Sequence, residues 1–380
     1  MRRVPDNVLI IGGGLAAQRA VETLRARGHH GPIRVVCGEP VAPYDRPPLS
    51  KELLASAAGG DPLFRPPGWY EEQGVELLLG RRAAALEVRA RRVRLEDGEV
   101  LDYGDLIVAT GSHARRIPGL AGRPNVHVLR TLADAGGLRA ALAPGVRLAI
   151  VGAGFVGQEV AATARGLGAE VTLIEAADVP LAVLGPRLGG WFADLHRSEG
   201  VRVELGVSVA DAGPAGAPVE RLVLSDGRSV DADAVLVGVG VAPETRWLAG
   251  SPLAGGVAVD NGARTIAARV YAAGDVTGGQ HWELAARLGA AAARSILGLP
   301  AVPAPPANVW SDQYGVRIHL VGEVAGADAV EIDGDPEARD FTAVLRRHGV
   351  TTGALLVGRP RELPRWRRQL AQQIEERSAA

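Results

Sequence analysis

Cysteine, methionine and lysine are almost missing from this chain of 380 residues, which contains one of each. A single cysteine, Cys37, cannot form an intrachain disulfide, a cysteine-based metal site or a Cys-x-x-Cys redox pair, so disulfide reductases are excluded. Because Cys37 ends an apolar segment, we predict a buried structural thiol. The histidines lack metal-ligand spacing, and we predict no metal site. All basic residues except Lys51 are arginine, so a specific role for this lysine is expected.

Long apolar runs and a strong net charge are missing as well. Apolar segments such as Leu148–Val151 and Ala234–Val241 fall well short of the ~20 residues that span a bilayer. The formal charge of −1 favours neither nucleic acid nor a membrane as a partner. Arg2 and Arg3 precede a short apolar segment that enters a glycine turn at once. This pattern predicts a first strand rather than a signal peptide, and the cytoplasm as the expected location.

Two segments of the chain repeat one pattern: an apolar strand, a glycine turn, a helix, a second strand and an acidic residue. The first turn follows residues 8–11 and its acid is Glu39, whereas the second follows residues 148–151 and its acid is Glu175. Such a turn brings backbone N–H groups to a dinucleotide pyrophosphate, and the acid accepts the ribose hydroxyls. One such motif is weak evidence, but two complete units predict an enzyme that passes a hydride between two cofactors. The turn positions are Gly12, Gly14, Ala17, Gly152, Gly154 and Gly157.

Three further apolar strands run into glycine turns, and these turns contain Ala109, Gly240 and Gly274. A carboxylate at Asp275, directly after the last of these strands, suits the ribitol of FAD, which NAD lacks. We therefore assign FAD to the first unit and the nicotinamide nucleotide to the second. Glu175 is followed by two alanines, with no arginine for a 2′-phosphate, so NADH is expected to be preferred over NADPH.

The C-terminal part of the chain follows a proline-rich linker and has its own pattern. Strand-like segments cover residues 317–321, 343–345 and 354–357, and a charged helix is predicted from about Pro364 to Glu376. Asp333, Gly334 and Asp335 are interpreted as a turn. The predicted fold is α/β, with two Rossmann-like dinucleotide-binding domains and a small α+β C-terminal domain. The predicted domains are FAD-binding (1–112 and 238–300), NAD-binding (113–237) and a C-terminal interface domain (307–380).

Several specific strings resemble the FAD-dependent NADH:ferredoxin reductases of bacterial oxygenase systems, a branch of the pyridine nucleotide-disulfide oxidoreductases without the redox disulfide. The most specific are PYDRPPLSK at residues 43–51 and WSDQY at residues 310–314. Residues 129–132, 155–161 and 271–275 also match, and together the strings span nearly the whole chain. The resemblance implies nucleotide domains of glutathione-reductase type.

The resemblance also implies roles for individual residues. It places Lys51 and Glu159 together as a catalytic pair, with Trp282 beside the isoalloxazine and Trp310 bordering the flavin from the C-terminal domain. The residues implied to contact FAD are Ala16, Glu39, Arg46, Lys51, Arg130 and Asp275. Those implied to serve NADH are Gly154, Glu159 and Glu175.

The implied activity is hydride transfer from NADH to FAD, followed by single-electron transfer to a ferredoxin that feeds a cytochrome P450 or a Rieske oxygenase. Two alternatives remain at this point: an NADH oxidase or small-acceptor flavin reductase, and a redox-controlled binding flavoprotein resembling apoptosis-inducing factor. The protein is expected to be a monomer or a homodimer. An arginine cluster is interpreted as a docking surface for an acidic ferredoxin or as an ordinary solvated face. Nucleic-acid binding is a weaker third option, because Trp366 is the one aromatic residue interleaved with the cluster. Its members are Arg346, Arg347, Arg359, Arg361, Arg365, Arg367 and Arg368.

Overall fold

The computed structural model describes residues 7–56, 58–279 and 281–379. The chain forms two compact units, each built from three segments. The first unit contains Met1–Asp45, Asp61–His113 and Ala242–Ala304, and the second contains Arg46–Gly60, Ala114–Val241 and Pro305–Ala380. This division places residues 46–60 and the C-terminal segment in the same unit as the second glycine turn. The predicted three-domain boundaries stay a prediction.

The described residues form 23 strands and eight α-helices. The strands are β1 (Val8–Ile11), β2 (Ile33–Cys37), β3 (Val75–Leu79), β4 (Ala83–Glu87), β5 (Arg92–Leu95), β6 (Val100–Asp102), β7 (Asp105–Val108), β8 (Ser112–Ala114), β9 (Val126–His127), β10 (Arg147–Val151), β11 (Glu170–Glu175), β12 (Arg202–Leu205), β13 (Val209–Asp211), β14 (Arg221–Leu224), β15 (Ser229–Asp231), β16 (Ala234–Val237), β17 (Val241–Pro243), β18 (Val270–Ala272), β19 (Asn308–Gln313), β20 (Val316–Gly322), β21 (Ala329–Asp335), β22 (Asp340–Arg347) and β23 (Val350–Val357). The helices are α1 (Leu15–Ala26), α2 (Glu52–Ala55), α3 (Pro67–Glu72), α4 (Leu132–Ala140), α5 (Phe155–Gly166), α6 (Gly185–Ser198), α7 (Trp282–Ile296) and α8 (Leu363–Ala379).

The first unit is built on a parallel sheet with the strand order β18-β7-β1-β2-β3. Strand β1 is buried on both faces, since Val8 and Ile10 pack into the core that contains α1 and α7. Leu9 and Ile11 pack into a second core on the opposite face. The chain leaves β1 in one direction toward β2 and reaches β7 on the other side. Dinucleotides bind at such a switch point, beyond the carboxyl end of the central strand.

The second unit repeats this order, β12-β11-β10-β16-β9, around the central strand β10. Alternate residues of β10 again enter two cores, one shared with α5 and the other with the antiparallel strands β13 to β15. The first unit has an equivalent three-stranded antiparallel sheet, β4-β5-β6. Both βαβ units predicted from the sequence are therefore confirmed, and so is the α/β fold class.

The C-terminal segment forms a five-stranded antiparallel sheet, β19-β20-β23-β22-β21, followed by α8. The three strands and the helix predicted there are confirmed. The predicted turn at residues 333–335 is wrong, because these residues end β21, where Asp333 pairs with Thr342 and Asp335 with Asp340. Edge-strand pairing outweighs the local turn preference of Asp and Gly. Within the described residues, no helix is long and apolar enough to cross a membrane.

Candidate functional site

The first glycine turn joins β1 to α1 in the first unit and permits only glycine at its start. Gly12 has a φ of 120°, and a Cβ there would lie 2.0 Å from the carbonyl oxygen of Ala109. Helix α1 begins after Gly14 without a side-chain cap, and a Cβ at Gly14 would meet no atom within 4 Å. Open space before an uncapped helix start fits the pyrophosphate of a dinucleotide.

The small residues that follow this turn let helix α7 approach α1 closely. Ala16 and Ala17 are buried. A Cβ at Gly289 of α7 would lie 2.1 Å from the carbonyl oxygen of Ala16, and one at Gly274 would lie 3.4 Å from the Ala16 side chain. Ala17, which takes the third glycine position of the motif, is 0% exposed.

Polar side chains of the first unit converge near the ends of its parallel strands. The Tyr44 hydroxyl donates to the Glu39 carboxylate at 2.6 Å, just beyond β2. The Ser112 hydroxyl donates to Asp275 Oδ2 at 2.7 Å. These contacts orient both carboxylates that the sequence predicted for FAD, so the residues present fit a flavin dinucleotide.

Trp282 and Asp45 add a further contact within the first unit. The Trp282 indole N–H donates to Asp45 Oδ1 at 2.7 Å. Trp282 opens α7, whose start is capped by His281 Nδ1, which accepts the backbone N–H of Leu284 at 3.3 Å. The indole is thus held in one orientation by a charged acceptor.

Cys37 is 1% exposed, as predicted, and packs beneath the first glycine turn. A Cβ at Gly13 would lie 2.5 Å from its Sγ atom. Burial, and secondarily the charge of Glu39, raise the pKa of the Cys37 thiol to about 12. The thiol is therefore protonated at neutral pH and unsuited to redox chemistry.

The second glycine turn joins β10 to α5 in the second unit with the same geometry. Gly152 has a φ of 106°, and a Cβ there would lie 2.5 Å from the carbonyl oxygen of Gly238. A Cβ at Gly157 would lie 2.1 Å from the carbonyl oxygen of Gly152, which explains the third glycine. Gly154 precedes α5 without a side-chain cap and faces open space.

Glu175, at the end of β11, lies directly against this turn. Its carboxylate accepts the backbone N–H of Ala153 at 2.7 Å and that of Ala177 at 2.9 Å. Both oxygens are therefore oriented by backbone groups, and the negative charge is fixed where an adenosine ribose would bind. A 2′-phosphate at this place would be repelled.

Lys51 and Glu159 form an ion pair within the second unit. Lys51 Nζ lies 2.8 Å from Glu159 Oε2, and the two side chains are 13% and 7% exposed. The hydroxyl of Ser50 donates to the same oxygen, and that of Ser311 donates to Oε1 at 2.7 Å. Lys51 also donates to the carbonyl oxygen of Pro47 at 3.2 Å.

The two serines of this cluster were not predicted from the sequence. Ser50 lies in a 3-10 turn and Ser311 in β19, some 260 positions apart in the chain. Ser50 belongs to the matched string PYDRPPLSK and Ser311 to WSDQY. Membership of these strings is the one sequence signal that could have indicated a role for the two serines. The pairing of Lys51 with Glu159 agrees with the one that the resemblance implied.

The other predicted residues of the second unit lie in surrounding loops and strands. Arg46 donates to the carbonyl oxygen of Arg130. Gly240 has a φ of 89°, and its carbonyl oxygen accepts the N–H of Arg115 at 2.9 Å. Trp310 lies in β19 opposite His319 of β20.

The arginine cluster of the C-terminal segment does not form one uniform positive surface. Arg346 pairs with Glu331 at 3.1 Å and Arg347 with Glu323 at 3.6 Å. Arg359 pairs with Asp333, Asp340 and Glu362. Near the start of α8, by contrast, the exposed arginines are Arg361, Arg365 and Arg368.

Comparison with known proteins identifies the family. Residues 6–289 match the pyridine nucleotide-disulphide oxidoreductase family, and residues 308–380 match the reductase C-terminal family. The chain therefore belongs to the pyridine nucleotide-disulphide oxidoreductases that carry a reductase C-terminal domain, and the resemblance inferred from the sequence is confirmed.

Individual relatives cover nearly the whole chain. The ferredoxin–NAD(+) reductase component of the anthranilate 1,2-dioxygenase system of Burkholderia cepacia is 38% identical, over 96% of this chain and 94% of that protein. The corresponding component of the biphenyl dioxygenase system of Paraburkholderia xenovorans (strain LB400) is 39% identical, over 90% and 87%. Among solved structures, the covalent putidaredoxin reductase–putidaredoxin complex aligns with a TM-score of 0.91 and 29% identity, covering 97% of this chain and 93% of that one.

Proposed function

We propose that this protein is an FAD-dependent NADH:ferredoxin oxidoreductase that supplies electrons to a cytochrome P450 or a Rieske oxygenase. The observation that carries this proposal is the presence of two complete dinucleotide turns in a chain whose one cysteine is buried beneath the first turn. Electrons that enter from NADH then have no thiol pair to receive them and leave to an external carrier. The similarity to ferredoxin reductase components of oxygenase systems supports the same activity.

The first unit is proposed to hold FAD. The N–H groups before α1 bind the pyrophosphate, Glu39 accepts the adenosine ribose hydroxyls, and Asp275, oriented by Ser112, accepts a ribitol hydroxyl. When bound, FAD accepts the two electrons of a hydride and releases them one at a time. Trp282, held by Asp45, is proposed to lie beside the isoalloxazine.

The second unit is proposed to bind NADH at the turn before α5. The backbone N–H groups of Gly154 and of the start of α5 bind the pyrophosphate, and Glu175 selects against a 2′-phosphate. Lys51 is the proposed cation that stabilises negative charge arriving with the hydride, and Glu159 holds its ammonium in one position. No side chain is required as a general acid, base or nucleophile.

The exposed arginines at the start of α8 are the proposed docking surface for a small acidic ferredoxin. This surface is narrower than the predicted cluster, because Arg346, Arg347 and Arg359 are each paired with carboxylates. Arg361, Arg365 and Arg368 supply the positive charge that would attract and orient an acidic partner. The cytoplasmic location stays a prediction.

The test measures NADH-dependent reduction of cytochrome c by the purified holoenzyme, with and without small acidic iron–sulfur ferredoxins. The proposal requires rapid reduction that appears only when a ferredoxin is present. Equal reduction without ferredoxin would instead identify a small-acceptor reductase. A long-lived complex with NADH that changes oligomeric state, without turnover on any ferredoxin, would identify a redox-controlled binding protein.

A further inference from the structure

The turn between β19 and β20 holds a tyrosine in a backbone conformation that normally requires glycine. Tyr314 has a φ of 51° and Gly315 a φ of 76°. Because Gln313 pairs with Val316, these two residues are the centre of a tight hairpin. A left-handed conformation is sterically unfavourable for an L-residue that carries a side chain. Such outliers concentrate at functional sites, so the contacts of this side chain are informative.

The half-buried Tyr314 side chain begins a relay of hydrogen bonds that runs through His196 and Gln158 and ends at the second glycine turn. Its hydroxyl lies 2.7 Å from His196 Nδ1, and His196 Nε2 lies 3.2 Å from Gln158 Oε1. Gln158 Nε2 then donates to the carbonyl oxygen of Ala153 at 2.8 Å. Both His196 and Gln158 are 0% exposed.

The direction of every hydrogen bond in this relay of Tyr314, His196 and Gln158 follows from the bond that Gln158 makes. Gln158 donates its amide N–H to Ala153, so its oxygen faces His196 and accepts from Nε2–H. Nδ1 of the neutral ring is then an acceptor, and it accepts a hydrogen bond from the Tyr314 hydroxyl group. Burial lowers the pKa of His196 to about 4, which keeps the ring neutral under ordinary conditions.

The relay ends on a peptide group of the glycine turn, and Glu175 binds the peptide group before it. The Ala153 carbonyl is held inward by Gln158, and the Ala153 N–H is held by Glu175 at 2.7 Å. In a trans peptide the N–H of Gly154 points opposite to the Ala153 carbonyl. It is therefore directed away from the buried relay, and a Cβ at Gly154 would meet no atom within 4 Å.

We propose that Tyr314, His196 and Gln158 are positioning residues that pre-orient the second glycine turn for the pyrophosphate of NADH. Through them, the hairpin of the C-terminal sheet controls nucleotide affinity. The proposal rests on the proposed use of NADH. The ligand of the glycine turn is the adenosine diphosphate part of the nucleotide, which binds at backbone N–H groups. None of the three side chains needs to touch the nucleotide.

The first test replaces Tyr314 by phenylalanine in the FAD-loaded protein and measures binding of ADP-ribose by calorimetry. ADP-ribose contains the pyrophosphate but lacks the nicotinamide. The ring contact of Tyr314 with His196, at 5.3 Å between centroids, is retained, and only the donor to Nδ1 is lost. We expect ADP-ribose affinity and the NADH KM to worsen by about fivefold to twentyfold, with kcat changed less than about twofold.

Tyr103→Phe is the matched control. Tyr103 is 1% exposed, and its hydroxyl has no hydrogen-bond partner within the described part of the chain. Removing this oxygen deletes the same atom from a tyrosine ring outside the relay, so affinity for ADP-ribose is expected to be unchanged.

The second test uses Gln158→Glu and varies the pH. The ionised carboxylate cannot donate to the Ala153 carbonyl, whereas the protonated carboxyl group can. ADP-ribose affinity relative to wild type should therefore be low near pH 8 and recover as the pH falls toward about 5–6, since burial raises a carboxyl pKa. If the substitution only disturbed packing, the ratio of the variant's ADP-ribose affinity to that of the wild type would not depend on pH.

The outcomes separate the relay from the proposed function. If Tyr314→Phe binds ADP-ribose as tightly as wild type, and the Gln158→Glu ratio is flat with pH, the relay is only a packing element and the proposal is overturned. If wild type itself fails to bind ADP-ribose, the proposed NADH site is overturned, and the positioning role with it.

Discussion

Replacing Lys51 by alanine is expected to slow hydride transfer from NADH while leaving FAD bound. The ammonium lies 2.8 Å from the Glu159 carboxylate in a largely buried pair, and Lys51 is the one lysine of the chain. A compact ammonium close to a flavin stabilises negative charge that arrives with the hydride. The same substitution should lower the flavin midpoint potential.

The expected magnitudes follow from the contacts of Glu159. Breaking a buried pair and leaving its charge unpaired costs about 3–5 kcal/mol. Here Ser50 and Ser311 still donate to the carboxylate, so a smaller loss of stability, about 2–3 kcal/mol, is expected for Lys51→Ala. For hydride transfer we expect a loss of about 10- to 1000-fold, or ~1.4–4 kcal/mol.

The assay is anaerobic rapid mixing with NADH, followed by the loss of oxidised-flavin absorbance. Lys51→Arg should recover only part of the rate, because a planar guanidinium differs from an ammonium in size and hydration. The double variant Lys51→Met with Glu159→Gln should recover stability but not rate, which separates charge from packing. Arg34→Ala is the control, since it breaks an exposed ion pair with Glu76 that contributes about 0–1 kcal/mol. A Lys51→Ala protein that keeps its FAD and is reduced at the wild-type rate would refute the proposed role.

Three further predictions concern cofactor choice, docking and the thiol. The kcat/KM for NADH should exceed that for NADPH by at least about tenfold, ~1.4 kcal/mol, because Glu175 repels a 2′-phosphate. The double variant Glu175→Ser with Ala176→Arg should narrow this difference. Equal kcat/KM values for the two nucleotides in the wild type would contradict the prediction. The rate of ferredoxin reduction should fall as salt rises from about 50 to 300 mM, while the rate of ferricyanide reduction changes less. The double variant Arg365→Glu with Arg368→Glu should show the same fall in ferredoxin reduction already at low salt. If salt slows both acceptors equally, these arginines are an ordinary solvated face. Because burial raises the pKa of Cys37 to about 12, thiol reagents should label the native protein only slowly at pH 8 and rapidly after unfolding, as measured by mass spectrometry.

Much of the fold follows from local sequence patterns. The apolar runs at 8–11 and 148–151 enter glycine turns whose positive φ angles at Gly12 and Gly152 exclude other residues, so both βαβ units were predictable. Strand β21 was not, because its alternating acidic residues and Gly334 favour a turn locally. Pairing with β22 supplies the hydrogen bonds that outweigh this preference.

The candidate site divides in the same way. The sequence by itself determined the residue types that dinucleotide chemistry needs, namely glycine at the turns and the acids Glu39 and Glu175 at the strand ends. Only the tertiary structure decided that Ser311 would share the carboxylate of Glu159, and that His196, an isolated histidine in the sequence, would be buried between Tyr314 and Gln158. The physical reason is the distance along the chain over which each effect acts. Turn geometry and periodicity depend on a few neighbouring residues. A buried polar group, by contrast, pairs with any donor or acceptor that the fold brings within about 3 Å.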